Sequence, residues 1–217
     1  MHVRAAIFDL DGTLLDSAGD IADAANRALS SMRFPEHDRA AYTRFVGNGM
    51  ELLMRRVAPE GCGEDAIRTL LERMLREYDS GWAVKTRPYA GIPELLHTLS
   101  TQDWKLAVLS NKPHGVVCEI VTHFFPDVPF GRVQGSLSPS LPAKPDPALA
   151  LDIAASFGLS PAESVVVGDM RTDVNVAKNA GMPSVGVSWG FRSRAELESY
   201  GAWRVIDSPG EFLPLFG

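Results

Sequence analysis

Ala5-Ala6-Ile7-Phe8-Asp9-Leu10-Asp11-Gly12-Thr13 is the stretch on which the fold turns. Ala5 to Phe8 is a short apolar run that stops at a turn signal, which predicts a buried strand. Similar runs follow at Leu106–Leu109, Val165–Val167, Ser184–Val187 and Trp203–Ile206. Helical spacing fills the gaps between them. Ile92, Leu95, Leu96 and Leu99 share one face, with Pro93 near the start, where its missing N–H costs nothing. Val117, Ile120, Val121 and Phe124 make a second face; Leu149, Ile153 and Phe157 a third, closed by Gly158; Val174, Ala177 and Ala180 a fourth, closed by Gly181. Ser193 and Glu196 form a capping box. Strands alternating with helices predict an α/β fold with a parallel sheet covered on both faces.

One block breaks the alternation. From about Asp16 to Trp82 the spacing is helical throughout: Ile21, Ala25, Ala28, Leu29 and Met32; then Met50–Val57; then Ile67, Leu70, Leu71, Met74, Leu75 and Tyr78. An all-helical block between the first strand and the next strand–helix unit reads as an insertion. The expected division is a core of residues 1–15 and 84–217 and a small helical domain of residues 16–83. Residues 136–147 read as loop, with four prolines.

Composition narrows the function classes. The 217 residues are 45% hydrophobic and 22% charged, as in a globular chain, with a net charge of -6. No Lys/Arg cluster offers a nucleic-acid face. No apolar run is long enough to span a bilayer, and no signal peptide is expected. Cys62 and Cys118 are far apart and lack metal-ligand spacing, so a cytoplasmic, reduced protein is expected, with Cys118 a buried residue of a helix and Cys62 in a loop. The five histidines are scattered, leaving no zinc set.

In open parallel sheets ligands bind beyond the carboxyl ends of the strands. The polar residues expected there are Asp9, Asp11, Gly12 and Thr13 after the first strand, Ser110-Asn111-Lys112 after the second, Lys144 before a later helix, and Asp169 with Asp173 after the next strand. Crowded carboxylates repel, and a divalent cation relieves them; Mg2+ prefers hard oxygen ligands and commonly takes carboxylates together with substrate phosphate. A carboxylate can also act as a nucleophile and form an aspartyl-phosphate. Asp9 suits that role. Asp11, two residues on, faces the same side if the chain is still extended, and can protonate a leaving alkoxide and later deprotonate water. Ser110 and the Asn111 N–H are candidates to hold phosphate oxygens, with Gly12 and Thr13 beside them, and Lys144 to neutralise the transition state. Asp173 also reads as a helix cap. Lys112 reads first as a solvated residue at a helix start.

Phe8-Asp9-Leu10-Asp11-Gly12-Thr13-Leu14, Leu109-Ser110-Asn111, Lys144-Pro145 and Gly168-Asp169-Met170-Arg171-Thr172-Asp173 resemble, in order, the four motifs of the haloacid dehalogenase-like hydrolases. The resemblance covers nearly the whole chain. It implies a Rossmann-like core with a helical cap inserted after the first strand, and Mg2+ held by Asp9, the Asp11 main-chain oxygen and Asp169, with Asp173 in the same acidic site. Val46-Gly47-Asn48-Gly49, Pro88-Tyr89-Ala90-Gly91, Ser110-Asn111-Lys112 and Trp189-Gly190-Phe191-Arg192 are similar to phosphoglycolate phosphatases. Met170 departs from the small hydroxyl residue common after Gly-Asp.

The expected activity is magnesium-dependent hydrolysis of a small phosphorylated metabolite through an aspartyl-phosphate, with 2-phosphoglycolate favoured and Arg44 reading its carboxylate; Arg44 reads equally as a solvated helix residue. A pyrophosphatase, or a sugar-phosphate phosphatase or mutase, uses the same four motifs. A non-catalytic binding protein on this fold is the reading from another class. A monomer or homodimer, with no nucleic-acid or membrane partner, is expected.

Overall fold

The computed structural model describes residues 2–47, 49–137 and 142–217. Asn48, and residues 138–141 of the proline-rich stretch, lie outside the described residues. The chain divides into two compact units, Met1–Leu15 with Pro88–Gly217, and Asp16–Arg87.

The first unit is built on six parallel strands: β1 (Ala5–Phe8), β2 (Lys105–Pro113), β3 (Phe130–Ser136), β4 (Ser164–Gly168), β5 (Ser184–Val187) and β6 (Arg204–Ile206), in the spatial order β3-β2-β1-β4-β5-β6. This is the Rossmann-like arrangement expected of the core. The chain runs outward from β1 to β3 and then returns to the other side of β1, so the order reverses beside β1 and opens a crevice at the strand carboxyl ends. β1 is central because all four of its residues are buried and both of its edges are paired, Phe8 lying between Val108 and Val167. Its side chains alternate between faces. Ile7 joins Leu109, Val166 and the apolar residues of the helices Ala148–Ser156 and Arg171–Ala180. Phe8 packs on the other side against Phe212, with ring centroids 6.1 Å apart.

Two strand features depart from the sequence reading. β2 outruns the apolar stretch Leu106–Leu109, and Ser110, Asn111 and Lys112 belong to the strand because its far end still pairs with β3, Pro113 with Ser136. β3 itself, Phe-Gly-Arg-Val-Gln-Gly-Ser, has no apolar run to reveal it. It is an edge strand, paired on one side and partly exposed, so hydrophobic continuity is not required of it.

The second unit holds the helices Ala18–Ser31, Arg39–Phe45, Met50–Val57 and Glu64–Asp79. Ile21, Ala25, Ala28 and Leu29 are buried as their spacing requires, as are Ile67, Leu70, Met74 and Tyr78. Leu75 is 36% exposed, so the apolar face of the last helix is narrower than its composition suggests. The helix Arg39–Phe45 escapes pattern reading because it is short and buries only Tyr42, whose hydroxyl donates to Asn26 Oδ1 at 2.6 Å. Its start is marked by Asp38, which accepts from the Ala41 N–H at 2.7 Å.

Asp20 is a buried carboxylate within this unit. It accepts from the Lys85 and Thr86 N–H groups, each at 2.9 Å, and from the Thr86 hydroxyl at 2.8 Å. Removing the acceptor strands buried donors, which costs about 1–3 kcal/mol. Asp20→Ala is therefore expected to lower stability by about 2 kcal/mol in urea unfolding, with Asp20→Asn intermediate. A midpoint unchanged in Asp20→Ala would show that the donors find other partners.

Candidate active site

The carboxyl ends of β1, β2 and β4 meet at the crevice. β1 delivers Asp9, whose N–H is still held by the Val167 carbonyl of β4 at 2.8 Å. The Asp9 Oδ1 accepts from the Leu10 N–H at 2.7 Å and lies 2.9 Å from Lys144 Nζ. β4 runs into Asp169, and the helix that follows supplies Asp173 from its first turn. Carboxylate oxygens of Asp9, Asp169 and Asp173 all lie within 4.8 Å of one another.

Each acidic side chain is gripped by the chain around it. Asp169 accepts from the Phe191 N–H at 2.7 Å and the Thr13 hydroxyl at 3.2 Å. Asp173 accepts from Lys144 Nζ at 2.7 Å and, from the third position of its helix, from the N–H of the N-cap residue Met170 at 2.9 Å, while facing the other two aspartates. Met170 enters through its backbone, which explains why a methionine is accommodated where a small hydroxyl residue is common. Lys144 is buried and bridges Asp9 and Asp173. It is placed by Asn111, whose amide donates to the Lys144 carbonyl at 3.0 Å and whose side-chain oxygen accepts from the Lys144 N–H at 2.8 Å.

Two glycines make the site possible. Gly12 adopts φ +83°, and a Cβ there would lie 2.4 Å from Asp169 Oδ2. A Cβ on Gly190 would lie 2.3 Å from the Gly12 carbonyl oxygen. Trp189 donates from its indole N–H to the Thr13 carbonyl at 3.1 Å, so the Trp189–Phe191 turn and the Asp9–Thr13 turn brace Asp169 together.

Lys112 corrects the sequence reading. It is not a solvated residue at a helix start: it lies on β2, its side chain is 2% exposed, and its ammonium stands 2.8 Å from Asp11 Oδ1. Helix-start statistics assign a lysine to solvent; only the pairing of β2 with its neighbours brings it onto a residue 101 positions earlier. Thr13 and Ser110 are buried, and the Ser110 Oγ accepts from the Lys112 N–H at 3.2 Å. Arg44 belongs to the helical unit, where it is exposed near the end of the helix Arg39–Phe45. Cys118 is half-buried beside His114 rather than buried, and Cys62 is half-buried in a loop.

The electrostatics express an excess of negative charge. Of the three carboxylates, Asp9 and Asp173 share the ammonium of Lys144, while Asp169 is held by neutral donors, the Phe191 N–H and the Thr13 hydroxyl. Burial, and then the charge of Asp173, push Asp9 up to about 7 against the opposing pull of Lys144. Burial and the charges of Asp9 and Asp173 push Asp169 well above the usual carboxylate range. Burial alone would lower the Lys144 ammonium, but Asp173 and Asp9 outweigh it and hold it above its ordinary value. A buried set of hard oxygen donors with unmet negative charge fits a small divalent cation.

A raised carboxylate pKa means that the folded state keeps protons the unfolded chain has released above about pH 4. Stability of the metal-free protein is therefore expected to fall as pH rises through about 7, the value for Asp9. Thermal unfolding in a chelator between roughly pH 5 and 8 checks this, with Asp169→Asn expected to flatten the slope. Equal slopes for the two proteins would show that the acidic cluster does not set it.

The comparisons with known proteins agree with this geometry. The haloacid dehalogenase-like hydrolase family matches residues 6–187. A phosphoglycolate phosphatase of Pseudomonas putida is 33% identical over 216 residues, covering 97% of this chain and 79% of its own length. One of Rhodospirillum rubrum is 35% identical over 211 residues, covering 94% and 87%. The solved structure of a Lactobacillus delbrueckii subsp. bulgaricus protein superposes with a TM-score of 0.94 at 28% identity, covering 100% of this chain and 99% of that one. The chain belongs to the haloacid dehalogenase-like hydrolase family, within which it is a phosphoric monoester hydrolase.

Proposed function

We propose that the protein hydrolyses a small phosphate monoester, 2-phosphoglycolate above others, in a magnesium-dependent reaction through an aspartyl-phosphate on Asp9. The observation that carries this reading is the juxtaposition of Asp9 with Lys144, Asp169 and Asp173, with Asp11 two residues away on the same turn. Asp9, Asp169, Asp173 and the main-chain oxygen of Asp11 would hold Mg2+, which when bound neutralises the carboxylates and the phosphate oxygens.

The chain's own groups then divide the work. The Asp9 carboxylate attacks phosphorus; the ester P–O bond breaks, and Asp11 delivers its proton to the departing oxygen. Asp11 takes a proton back from the water that attacks the aspartyl-phosphate, and the Asp9 O–P bond breaks. Lys144 stays beside Asp9 and offsets charge on the phosphoryl oxygens. Ser110 and the Asn111 N–H are the proposed phosphate contacts, with Thr13 beside them and Gly12 leaving room for the close approach of backbone to phosphate. The relatives named phosphoglycolate phosphatase favour that substrate, and Arg44 is the proposed partner of its carboxylate. The protein is taken to work in the cytoplasm, consistent with its two unpaired cysteines and with the lack, among the described residues, of a helix long and apolar enough to cross a membrane.

The deciding experiment is a panel of phosphate esters, pyrophosphate and sugar phosphates with purified protein, with and without Mg2+. The highest kcat/KM is expected for 2-phosphoglycolate, with turnover lost in a chelator and restored by Mg2+. Absence of any preference would sink the substrate assignment, and activity that survives exhaustive chelation would favour dehalogenation. Asp9→Asn is expected to lower kcat by about 10³-fold or more while the protein stays folded. Arg44→Ala is expected to raise KM for 2-phosphoglycolate and leave KM for esters without a carboxylate unchanged.

A further inference from the structure

Lys112 is a buried charge that the reaction scheme above leaves without a task. Burying an ammonium costs several kcal/mol unless its partner and geometry repay it, and an apolar side chain of similar length would fill the space more cheaply. The acidic trio does not account for it, because Lys144 already bridges Asp9 and Asp173. Lys112 instead meets Asp11 at 2.8 Å, with side-chain exposures of 2% and 14%. Asp11 therefore sits at the rim of the crevice while its partner is locked beneath the surface.

The locking is specific. The Lys112 N–H is bonded to the Ser110 hydroxyl, so one stretch of β2 sets both a proposed phosphate contact and the anchor for Asp11. On the preceding residue, Asn111 places Lys144. Three consecutive residues of one strand thus address three parts of one site. We propose that Lys112 is a positioning residue for Asp11: its ammonium fixes the carboxylate where it reaches first the leaving oxygen and then the attacking water. This rests on the reading of Asp11 as the proton-transfer group.

The physical need is geometric. Asp11 must come within hydrogen-bond reach of an apical oxygen in both halves of the reaction. In the first half the Asp9 O–P bond forms, the ester P–O bond breaks and the Asp11 proton moves to the leaving oxygen. In the second the water O–P bond forms, the Asp9 O–P bond breaks and the water proton moves to Asp11. A carboxylate left to swing at the rim loses that alignment, and a displacement of about 1 Å costs about 10²-fold.

The test compares Lys112→Met, Lys112→Arg and Asp11→Asn on two esters in saturating Mg2+. 2-Phosphoglycolate leaves as an alkoxide that needs a proton; 2,4-dinitrophenyl phosphate leaves as a phenolate that needs none. Lys112→Met is expected to lower kcat on 2-phosphoglycolate about 10–100-fold. First-turnover release of dinitrophenolate should stay within about threefold, and inhibition by inorganic phosphate within about twofold, with the same leaving-group pattern as Asp11→Asn. Lys112→Arg should recover part of kcat. If Lys112→Met does not fold, Lys112→Arg carries the comparison, with a smaller loss of the same pattern. Equal losses on both esters, an unchanged kcat, or a raised KM with kcat kept would overturn the proposal; the last would make Lys112 a substrate contact. If Asp11→Asn itself shows no leaving-group dependence, the proton-transfer reading of Asp11 fails. If Asp11→Asn shows it and Lys112→Met does not, only the role of Lys112 fails.

Discussion

Three aspartate carboxylates are buried at the end of a parallel sheet, two of them bridged by one ammonium, and the rest of the core unit is organised around holding them there. Left alone such a cluster opposes folding, since each ionised carboxylate raises the cost of the next. The structure answers with hydrogen bonds from rigid donors: the Leu10, Phe191 and Met170 N–H groups and the Thr13 hydroxyl each satisfy one carboxylate oxygen. What remains is a net excess of negative charge, expressed in the raised pKa of Asp9 and Asp169. That residue of repulsion is the feature that suits the site to a divalent cation. Stability given up at the strand ends is recovered in the apolar layers on either side of β1.

The division of labour among cations follows from the same constraint. Lys144 lies between Asp9 and Asp173. Lys112 is kept apart on Asp11. Two ammoniums on one carboxylate would leave another uncompensated; spreading them lets each acidic group keep a defined orientation. β2 achieves the separation with successive residues, because neighbouring residues of a strand project to opposite sides.

Much of this was legible before any coordinates. The alternation of apolar runs with helical spacing names an α/β sheet, and the all-helical block from about Asp16 to Trp82 marks an insertion. The acidic residues were legible because they stand at the points where strand patterns stop. Illegible were the edge strand β3, which needs no apolar run, and the helix Arg39–Phe45, which is too short to show a period. The burial of Lys112 was illegible for a different reason. Lysine is ordinarily solvated, and nothing local distinguishes this one.

Sequence by itself therefore determined the class of fold, the identity of the acidic residues and the order in which they occur, because periodicity and turn chemistry are local properties of the chain. Only the tertiary structure decided which groups meet. It put Lys112 on Asp11, Asn111 on both sides of Lys144, and the Trp189–Phe191 turn on Thr13 and Asp169. Those contacts join residues separated by 22 to 176 positions. Their energies depend on distance and burial, which are set by strand order and pairing and are written in no single stretch of sequence.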